Sequence, residues 1–260
     1  MWDNMFTMKL FYLLFTICSL GLGLAQNQKL IQTPNNSTYH RIQEEDLHRL
    51  WTEILQTHVS NDGIVNYKLL KKDPRKLQNY LSKLDVFYSS KTFQLLSKDG
   101  GLAFWINAYN AFTVDLIIRH YPVKSIKEIK NPWKQRLWKL GGTFYNLKEI
   151  EHDILRKRNE PRIHFAIVCA SYSCPKLLNE AYNAKNIELQ LTNASKDFLT
   201  DQRRNNISKY SLKISKIFDW FAEDFKQKGS LINFLNAYSS IVISPTANIS
   251  YQDYNWNLNE

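Results

Sequence analysis

Residues 102–119 read LAFWINAYNAFTVDLIIR, and this segment is the most informative about the architecture of the protein. In a helix of about 100° per residue, its apolar side chains cover nearly the whole circumference, and Asp115 and Arg119 lie close together on one edge. A helix that is apolar on all sides is buried inside a protein. We therefore predict one central helix that the rest of the domain surrounds.

Two amide side chains interrupt the apolar surface of this predicted helix. Asn107 and Asn110 lie ~60° apart, on the side away from Asp115. Both amides must find hydrogen-bond partners if they are buried, because an unsatisfied buried polar group is costly. Two interpretations follow: the amides tie neighbouring loops to the helix, or they line a pocket and orient a ligand.

The patterns on either side of the central helix mix helices and strands. Asn146 and Glu149 form a capping-box-like helix start. Helices are predicted near residues 47–55, 77–84, 146–158, 186–199 and 215–225, and strands near residues 64–67, 136–140, 143–145, 163–168 and 210–214. Because these elements follow no regular strand–helix–strand order, we predict an α+β fold, a single domain with the central helix packed on a small mixed or antiparallel sheet.

The N-terminus carries the pattern of a secretory signal. Lys9 precedes an apolar run over residues 10–24, and the small residues Gly23 and Ala25 favour cleavage near Ala25. The run is shorter than the ~20 residues of a stable membrane span. We therefore predict export to the periplasm or the cell exterior; an uncleaved anchor or a lipid-modified Cys18 are the alternatives.

The predicted signal divides the chain into three parts. We predict a signal peptide over residues 1–25, a flexible polar linker over residues 26–41 and one globular domain over residues 42–260. The formal net charge of +10 survives cleavage, because the signal contributes one Asp and one Lys. A basic surface favours anionic neighbours. For an exported protein we expect an anionic envelope polymer or a membrane surface as the neighbour, and not nucleic acid. The alternative is that the charge serves solubility alone.

Only two cysteines follow the predicted signal, so the hydrophobic core must stabilise the domain. Cys169 stands where the apolar stretch 163–168 gives way to a loop with Ser171 and Cys174. A thiol there is held by a rigid scaffold, and it becomes a nucleophile when its pKa is lowered. The alternatives are inert buried thiols or a disulfide. The spacing of the two cysteines matches no standard zinc site, and the sequence predicts no metal or cofactor.

Two histidines are candidate bases for such a thiol, since histidine titrates near neutral pH. His164 lies in the predicted strand, with its side chain on the face opposite that of Cys169. His152 lies toward the polar side of the helix that begins at Asn146. For His152, a solvated surface side chain is the alternative interpretation.

Several long motifs occur in the order found in one known family. The chain resembles the domain-of-unknown-function family DUF547. In the details of its sequence it resembles the exported members from Bacteroidetes-type bacteria. The motifs that carry the resemblance are GLAFWINAYNAFT (residues 101–113), IEHDILR (150–156), residues 161–175, SKIFDWF (215–221) with residues 224–225, and YNWNLN (254–259). The resemblance implies a single α+β domain in a bacterial envelope and little about activity.

The fold that this family implies is distantly similar to that of papain-like and transglutaminase-like cysteine enzymes. Those enzymes carry their nucleophilic cysteine at the start of the central helix, where this chain has Gly100, Gly101, Leu102 and Ala103. Catalysis in this chain would therefore need Cys169 or Cys174.

Two hypotheses of function follow from the sequence. In the first, an exported thiol-dependent hydrolase or transferase acts on amide bonds: Cys169 is the nucleophile, His164 or His152 is the base, and Asn107, Asn110, Ser171 and Cys174 contact the ligand. In the second, the domain binds or scaffolds without catalysis, and the same residues are structural.

Overall fold

The structure, a computed structural model, describes residues 36–260, with side chains from Asp46 onward. The predicted signal peptide and residues 26–35 of the predicted linker lie outside the described residues. Helix α1 begins at Asn36, so residues 36–41 of the range predicted to be a linker are helical.

The described chain is α+β, as predicted, with helices in the majority and short strands. The longer helices are α1 (Asn36–His58), α3 (Arg75–Tyr88), α5 (Lys98–His120), α7 (Ile187–Thr200) and α10 (Leu231–Tyr238), and the shorter ones are α2 (Tyr67–Lys72), α4 (Lys91–Gln94), α6 (Leu147–Glu149), α8 (Ile217–Trp220) and α9 (Ala222–Phe225). The strands are β1 (Trp138–Leu140), β2 (Thr143–Tyr145), β3 (Asn206–Ile207), β4 (Ser211–Ile214) and β5 (Asn248–Tyr251). Strands β1 and β2 form the predicted hairpin, and β4 pairs antiparallel with β3 and parallel with β5.

The predicted central helix is α5. Ser97 caps its N-terminus by accepting a hydrogen bond from the Gly100 N–H at 3.0 Å. Every residue from 100 to 118 is buried. Within the described residues, α5 is the one helix that is long and apolar enough to cross a membrane, and its complete burial makes it the core helix of this domain.

Aromatic contacts pack the neighbouring elements around α5. Phe93 packs edge-on against Phe104 of α5, with ring centres 4.8 Å apart. On another side, Trp138 of β1 stacks on Phe112 at 4.7 Å and donates its indole N–H to Asp115 at 2.7 Å. Asp115 also pairs with Arg119. Through its bond with Trp138, the polar edge predicted from the sequence joins the hairpin to the central helix.

The strand predicted over residues 163–168 is absent, and this prediction was wrong. Pro161–Phe165 is a 3-10 helix, and an irregular segment follows it. The apolar residues of this stretch are buried, as a buried strand would require, but its backbone does not pair with a sheet. Local backbone hydrogen bonds and one side chain hold it instead: Asn110 donates to the Ala166 carbonyl at 2.9 Å and accepts from the Val168 N–H at 3.0 Å.

Two further predicted elements differ in detail. The strand predicted near residues 64–67 is a single bridge between Val59 and Val65. The helix predicted after Ser215 is interrupted at Phe221, which ends α8 and precedes α9. This aromatic-rich region belongs to a second hydrophobic cluster, which includes Phe218 and Phe225.

Candidate functional site

The two cysteines lie in a loop whose backbone is firmly held. Between Cys169 and Ser171, Ala170 has a φ of 59°, a left-handed conformation that costs a non-glycine residue energy. The C-terminal segment pairs with the loop: Asn259 N–H donates to the Ala170 carbonyl at 3.1 Å, and Tyr172 N–H donates to Asn257 at 2.7 Å. Strained backbone of this kind persists where the surrounding structure fixes it, and it concentrates at functional sites.

A buried arginine holds the other end of the same loop. The Arg204 guanidinium donates to the Cys174 carbonyl and to the Tyr172 carbonyl, both at 2.6 Å, and forms an ion pair with Asp201. The positions of the two thiols therefore depend on the C-terminal segment and on residues that follow α7.

The two sulfur atoms lie side by side. Cys169 Sγ and Cys174 Sγ are 2.8 Å apart, beyond the ~2.05 Å of a covalent bond, and both thiols are free. Ser171 Oγ is 3.2 Å from each sulfur. The Tyr254 hydroxyl lies 3.3 Å from Cys174 Sγ and 3.6 Å from Cys169 Sγ, so two hydroxyl groups and two thiols form one cluster.

The hydrogen bonds of this cluster favour a thiolate at Cys174. Burial alone would raise the pKa of Cys174, but its hydrogen bonds with Cys169, Ser171 and Tyr254 and the Cys169 backbone N–H at 3.1 Å lower it to about 6. The hydrogen bond with Cys174, followed by burial and the neighbouring charge, raises the pKa of Cys169 well above its usual value. These opposite directions favour loss of the first proton of the pair from Cys174.

A cavity of about 220 Å³ opens beside the sulfurs. Both cysteines line it, and so do three residues with carboxyl or imidazole groups: Glu151, His152 and His164. Its walls are mainly aromatic, formed by Tyr109, Trp133, Trp220, Phe221, Tyr254 and Trp256.

Glu151 is the buried carboxyl group of this cavity. Burial raises the pKa of Glu151 to about 7, against the opposing effects of a hydrogen bond from Tyr109 and of the Arg156 charge. The Tyr109 hydroxyl donates to Glu151 Oε2 at 3.1 Å. Near neutral pH this carboxyl group can both donate and accept a proton.

The two predicted bases belong to a different network from the sulfurs. His164 Nε2 lies 2.8 Å from Asp224 Oδ2, and Arg156 binds the same carboxylate through two nitrogens at 2.6 and 2.8 Å. Arg156 also donates to His152 Nδ1 at 2.8 Å. Burial lowers the pKa of both His164 and His152, which favours the neutral form of both rings.

The structure therefore brings the three predicted catalytic side chains to one cavity without forming a cysteine–histidine pair. Within the described residues, neither histidine ring is hydrogen-bonded to Cys169 or Cys174. The sulfurs contact Ser171 and Tyr254 instead.

The two predicted ligand-binding amides are occupied by backbone groups. Asn107 donates to the Tyr182 carbonyl at 2.8 Å and accepts from the Tyr182 N–H at 2.9 Å. Asn110 binds the segment after the 3-10 helix in the same way. These contacts are those of the structural interpretation, and neither amide lines the thiol cavity.

The sequence analysis missed Glu151, Tyr254 and Asp224. Glu151 lies four residues after Leu147 and four before Leu155, but it stands in a π-helical turn, to which α-helical spacing does not apply. Tyr254 and Asp224 follow Cys174 by 80 and 50 residues, and no local pattern connects them with the thiols.

No curated protein and no solved structure matches the chain. A family model described as a protein of unknown function, DUF547, matches residues 93–199. The matched region contains the central helix, Glu151, both cysteines and His164, and Asp224 and Tyr254 lie beyond it. The match agrees with the resemblance seen in the sequence and supports the assignment of this region to the DUF547 family of unknown function.

Proposed function

We propose that the domain is a thiol-dependent enzyme that carries out thiol–disulfide exchange at Cys169 and Cys174. One observation carries the proposal: two free sulfurs lie 2.8 Å apart at a cavity, and their hydrogen bonds favour one thiolate and one thiol. A thiolate attacks a disulfide, and a neighbouring thiol resolves the mixed disulfide that results. Both groups are present here in contact.

The reaction has two steps. The Cys174 thiolate attacks a sulfur of the substrate disulfide, which breaks the substrate S–S bond and releases one thiolate; the Glu151 carboxyl group protonates it. Cys169 then gives its proton to Glu151 and attacks the Cys174 sulfur. The second substrate thiolate leaves and takes a proton from solvent. The substrate gains two electrons, the protein pair becomes a disulfide, and the reverse sequence oxidises a substrate dithiol.

Cys174 replaces Cys169 as the first nucleophile in this proposal. The sequence favoured Cys169 because of its place at the end of a predicted strand, and that strand is absent. The Cys169 backbone N–H supports negative charge on Cys174, at 3.1 Å. Cys169, whose pKa is raised, keeps its proton longer than Cys174 and resolves the mixed disulfide.

The test uses the full chain with Cys18→Ser, so that only the pair contributes thiols. The reduced protein is mixed with 2-hydroxyethyl disulfide and followed by mass spectrometry without reductant. We expect an internal disulfide in this background, a trapped mixed disulfide on Cys174 after Cys169→Ser, and no adduct after Cys174→Ser. Equal trapping on either cysteine in the two single variants would refute the assigned order, and no reaction in the native protein would refute the function.

A second candidate is the transfer or hydrolysis of amide bonds. The observation that favours it is the His164–Asp224 pair at the same cavity, because an imidazole oriented by a carboxylate is a common general base. To test acyl transfer, the protein is treated with an activated ester. If this candidate is right, one thiol carries an acyl adduct, and the acyl group is released more slowly after His164→Ala. The non-catalytic binding function would leave both reactions absent.

Export of this DUF547-type domain also belongs to the proposal. The predicted signal would carry the thiol pair out of the cytoplasm to an oxidising compartment, and disulfides persist in such compartments. N-terminal sequencing of the protein secreted or released from the periplasm tests this, with cleavage expected near Ala25 and an uncleaved N-terminus as the contrary result.

A further inference from the structure

A second cavity, which we call the lysine cleft, adjoins the thiol cavity. It has a volume of about 590 Å³ and shares Trp133, Glu151 and His152 with the thiol cavity. Four lysines line it: Lys127, Lys130, Lys134 and Lys148.

The backbone fixes the segments that carry these lysines. Asn131 has a φ of 50° and accepts the Lys134 N–H at 3.0 Å, which closes a tight turn between two of the lysines. The Lys148 N–H donates to the Trp133 carbonyl at 2.9 Å and joins this turn to the start of α6. The arrangement of charge is therefore a property of the fold.

The four lysines of the cleft form no ion pair within the described residues. Lys127 Nζ lies 3.9 Å from the centre of the Trp256 ring, which also lines the thiol cavity. Of the nearby carboxylates, Glu149 pairs with Arg136. The one carboxyl group in the lining of the cleft is Glu151, and burial raises its pKa to about 7, so positive charge predominates. A concave surface in which one sign of charge predominates concentrates ligands of the opposite sign.

We propose that the lysine cleft binds the anionic group of a small disulfide or thiol whose sulfur reaches the Cys169–Cys174 pair. This inference rests on the proposed thiol–disulfide exchange and names its substrate class: low-molecular-weight sulfur compounds that carry carboxylate or phosphate. Trp133, Glu151 and His152 line both cavities, so an anion held in the cleft lies next to the thiol cavity. Small-molecule sites have volumes of ~300–1,000 Å³. The thiol cavity is smaller than this and the lysine cleft falls within the range, which favours a small anion over a polymer.

The test compares three disulfides of nearly equal size and different charge. Dithiodipropionate is a dianion, 2-hydroxyethyl disulfide is neutral and cystamine is a dication. The rate at which each oxidises the reduced full chain with Cys18→Ser is measured at low salt and divided by its rate with 2-mercaptoethanol, which corrects for intrinsic reactivity. We expect the dianion to exceed the dication by on the order of tenfold or more, and this ratio to shrink in about 1 M salt.

The double variant Lys134→Gln/Lys148→Gln removes two charges from the cleft. The matched control is Lys139→Gln/Lys213→Gln, which removes two exposed lysines that line neither cavity. We expect the ratio of anionic to cationic rates to approach one in the cleft variant and to keep the native value in the control. Equal rates for the three disulfides, or equal losses in the two double variants, would overturn the proposal.

A binding experiment separates this inference from the proposed function. Suberate and 1,6-diaminohexane have the shapes of dithiodipropionate and cystamine without sulfur, so their binding requires no reaction. Tryptophan fluorescence reports binding through Trp133, which lines both cavities. Binding of suberate and not of the diamine, with loss in the cleft variant, supports the cleft even if no disulfide reacts. Absence of suberate binding, with disulfide exchange intact, refutes the cleft and leaves the proposed function standing.

Discussion

The change of Glu151 to glutamine is expected to stabilise the protein at pH 8 and to have little effect at pH 4. Burial raises the pKa of this carboxyl group from 4.5 to about 7 in the folded state. Above pH 4.5 the unfolded chain therefore releases a proton that the folded chain keeps. The free energy of unfolding therefore falls as the pH rises to 7, and the reduction stays constant above that pH. Glutamine carries no such proton and keeps an oxygen that can accept the Tyr109 hydroxyl.

The size of the effect follows from the same values. At ~1.36 kcal/mol for each pH unit between the two pKa values, the native carboxyl group reduces the free energy of unfolding by on the order of 3 kcal/mol at pH 8. The reduction is expected to be well under 1 kcal/mol at pH 4. The glutamine variant should therefore gain about 3 kcal/mol relative to native protein when the pH is raised from 4 to 8.

Urea unfolding at the two pH values, followed by tryptophan fluorescence and circular dichroism, measures this difference. The control is Glu223→Gln, because the Glu223 side chain is 86% exposed and its replacement should have the same small effect at both pH values. A stability difference between native protein and Glu151→Gln that does not change with pH would refute the reasoning, because it would mean that Glu151 loses its proton with equal ease in the folded and unfolded states.

Three further substitutions have expected outcomes that urea unfolding can check. Asn110→Ala leaves two buried backbone groups without partners and should cost about 2–4 kcal/mol, whereas a loss below that range would mean that water replaces the amide. Asp224→Asn should destabilise the protein by about 2 kcal/mol at neutral pH, since hydrogen bonds with His164 and Arg156 outweigh burial and hold the pKa of Asp224 well below its usual value. The difference should shrink as the pH falls below about 4, and a constant difference would contradict this. Gly63→Ala should cost more than about 1 kcal/mol, because φ is 79° and the added carbon would lie 2.5 Å from Lys176; a neutral effect would show that the turn can rearrange.

The sequence predicted the elements whose signals are local. Helix α5 is apolar on every side, and nothing beyond its own residues is needed to infer its burial. The capping box at Asn146 and Glu149 and the hairpin of β1 and β2 are likewise contained within a few residues.

The errors concern groups whose partners are distant along the chain. The stretch 163–168 has the composition of a buried strand, but Asn110 supplies two of its hydrogen bonds from more than 50 residues away. The cluster around the thiols depends on Tyr254, which is 80 residues after Cys174. A local pattern indicates that a residue is buried, and it does not identify the group that satisfies it.

The π-helical turn over residues Ile150–Leu155 explains a further limit. Its wider turn changes the angular spacing on which a helical wheel depends, so side chains within the turn cannot be assigned to faces from sequence alone. Such turns occur often at functional sites, and this one carries Glu151 and His152, both of which line the thiol cavity and the lysine cleft.

The burial of α5 has a consequence for biosynthesis. Its partners come from both ends of the domain: α1 and α3 precede it, and the Tyr182 backbone that binds Asn107 follows it by 75 residues. A nascent chain that has not reached residue 182 therefore exposes a segment apolar enough to enter a membrane. Asn107, Asn110 and Asp115 are costly in a lipid bilayer. The same three side chains that join loops and hairpin to the finished core thus also oppose insertion of the unfinished chain.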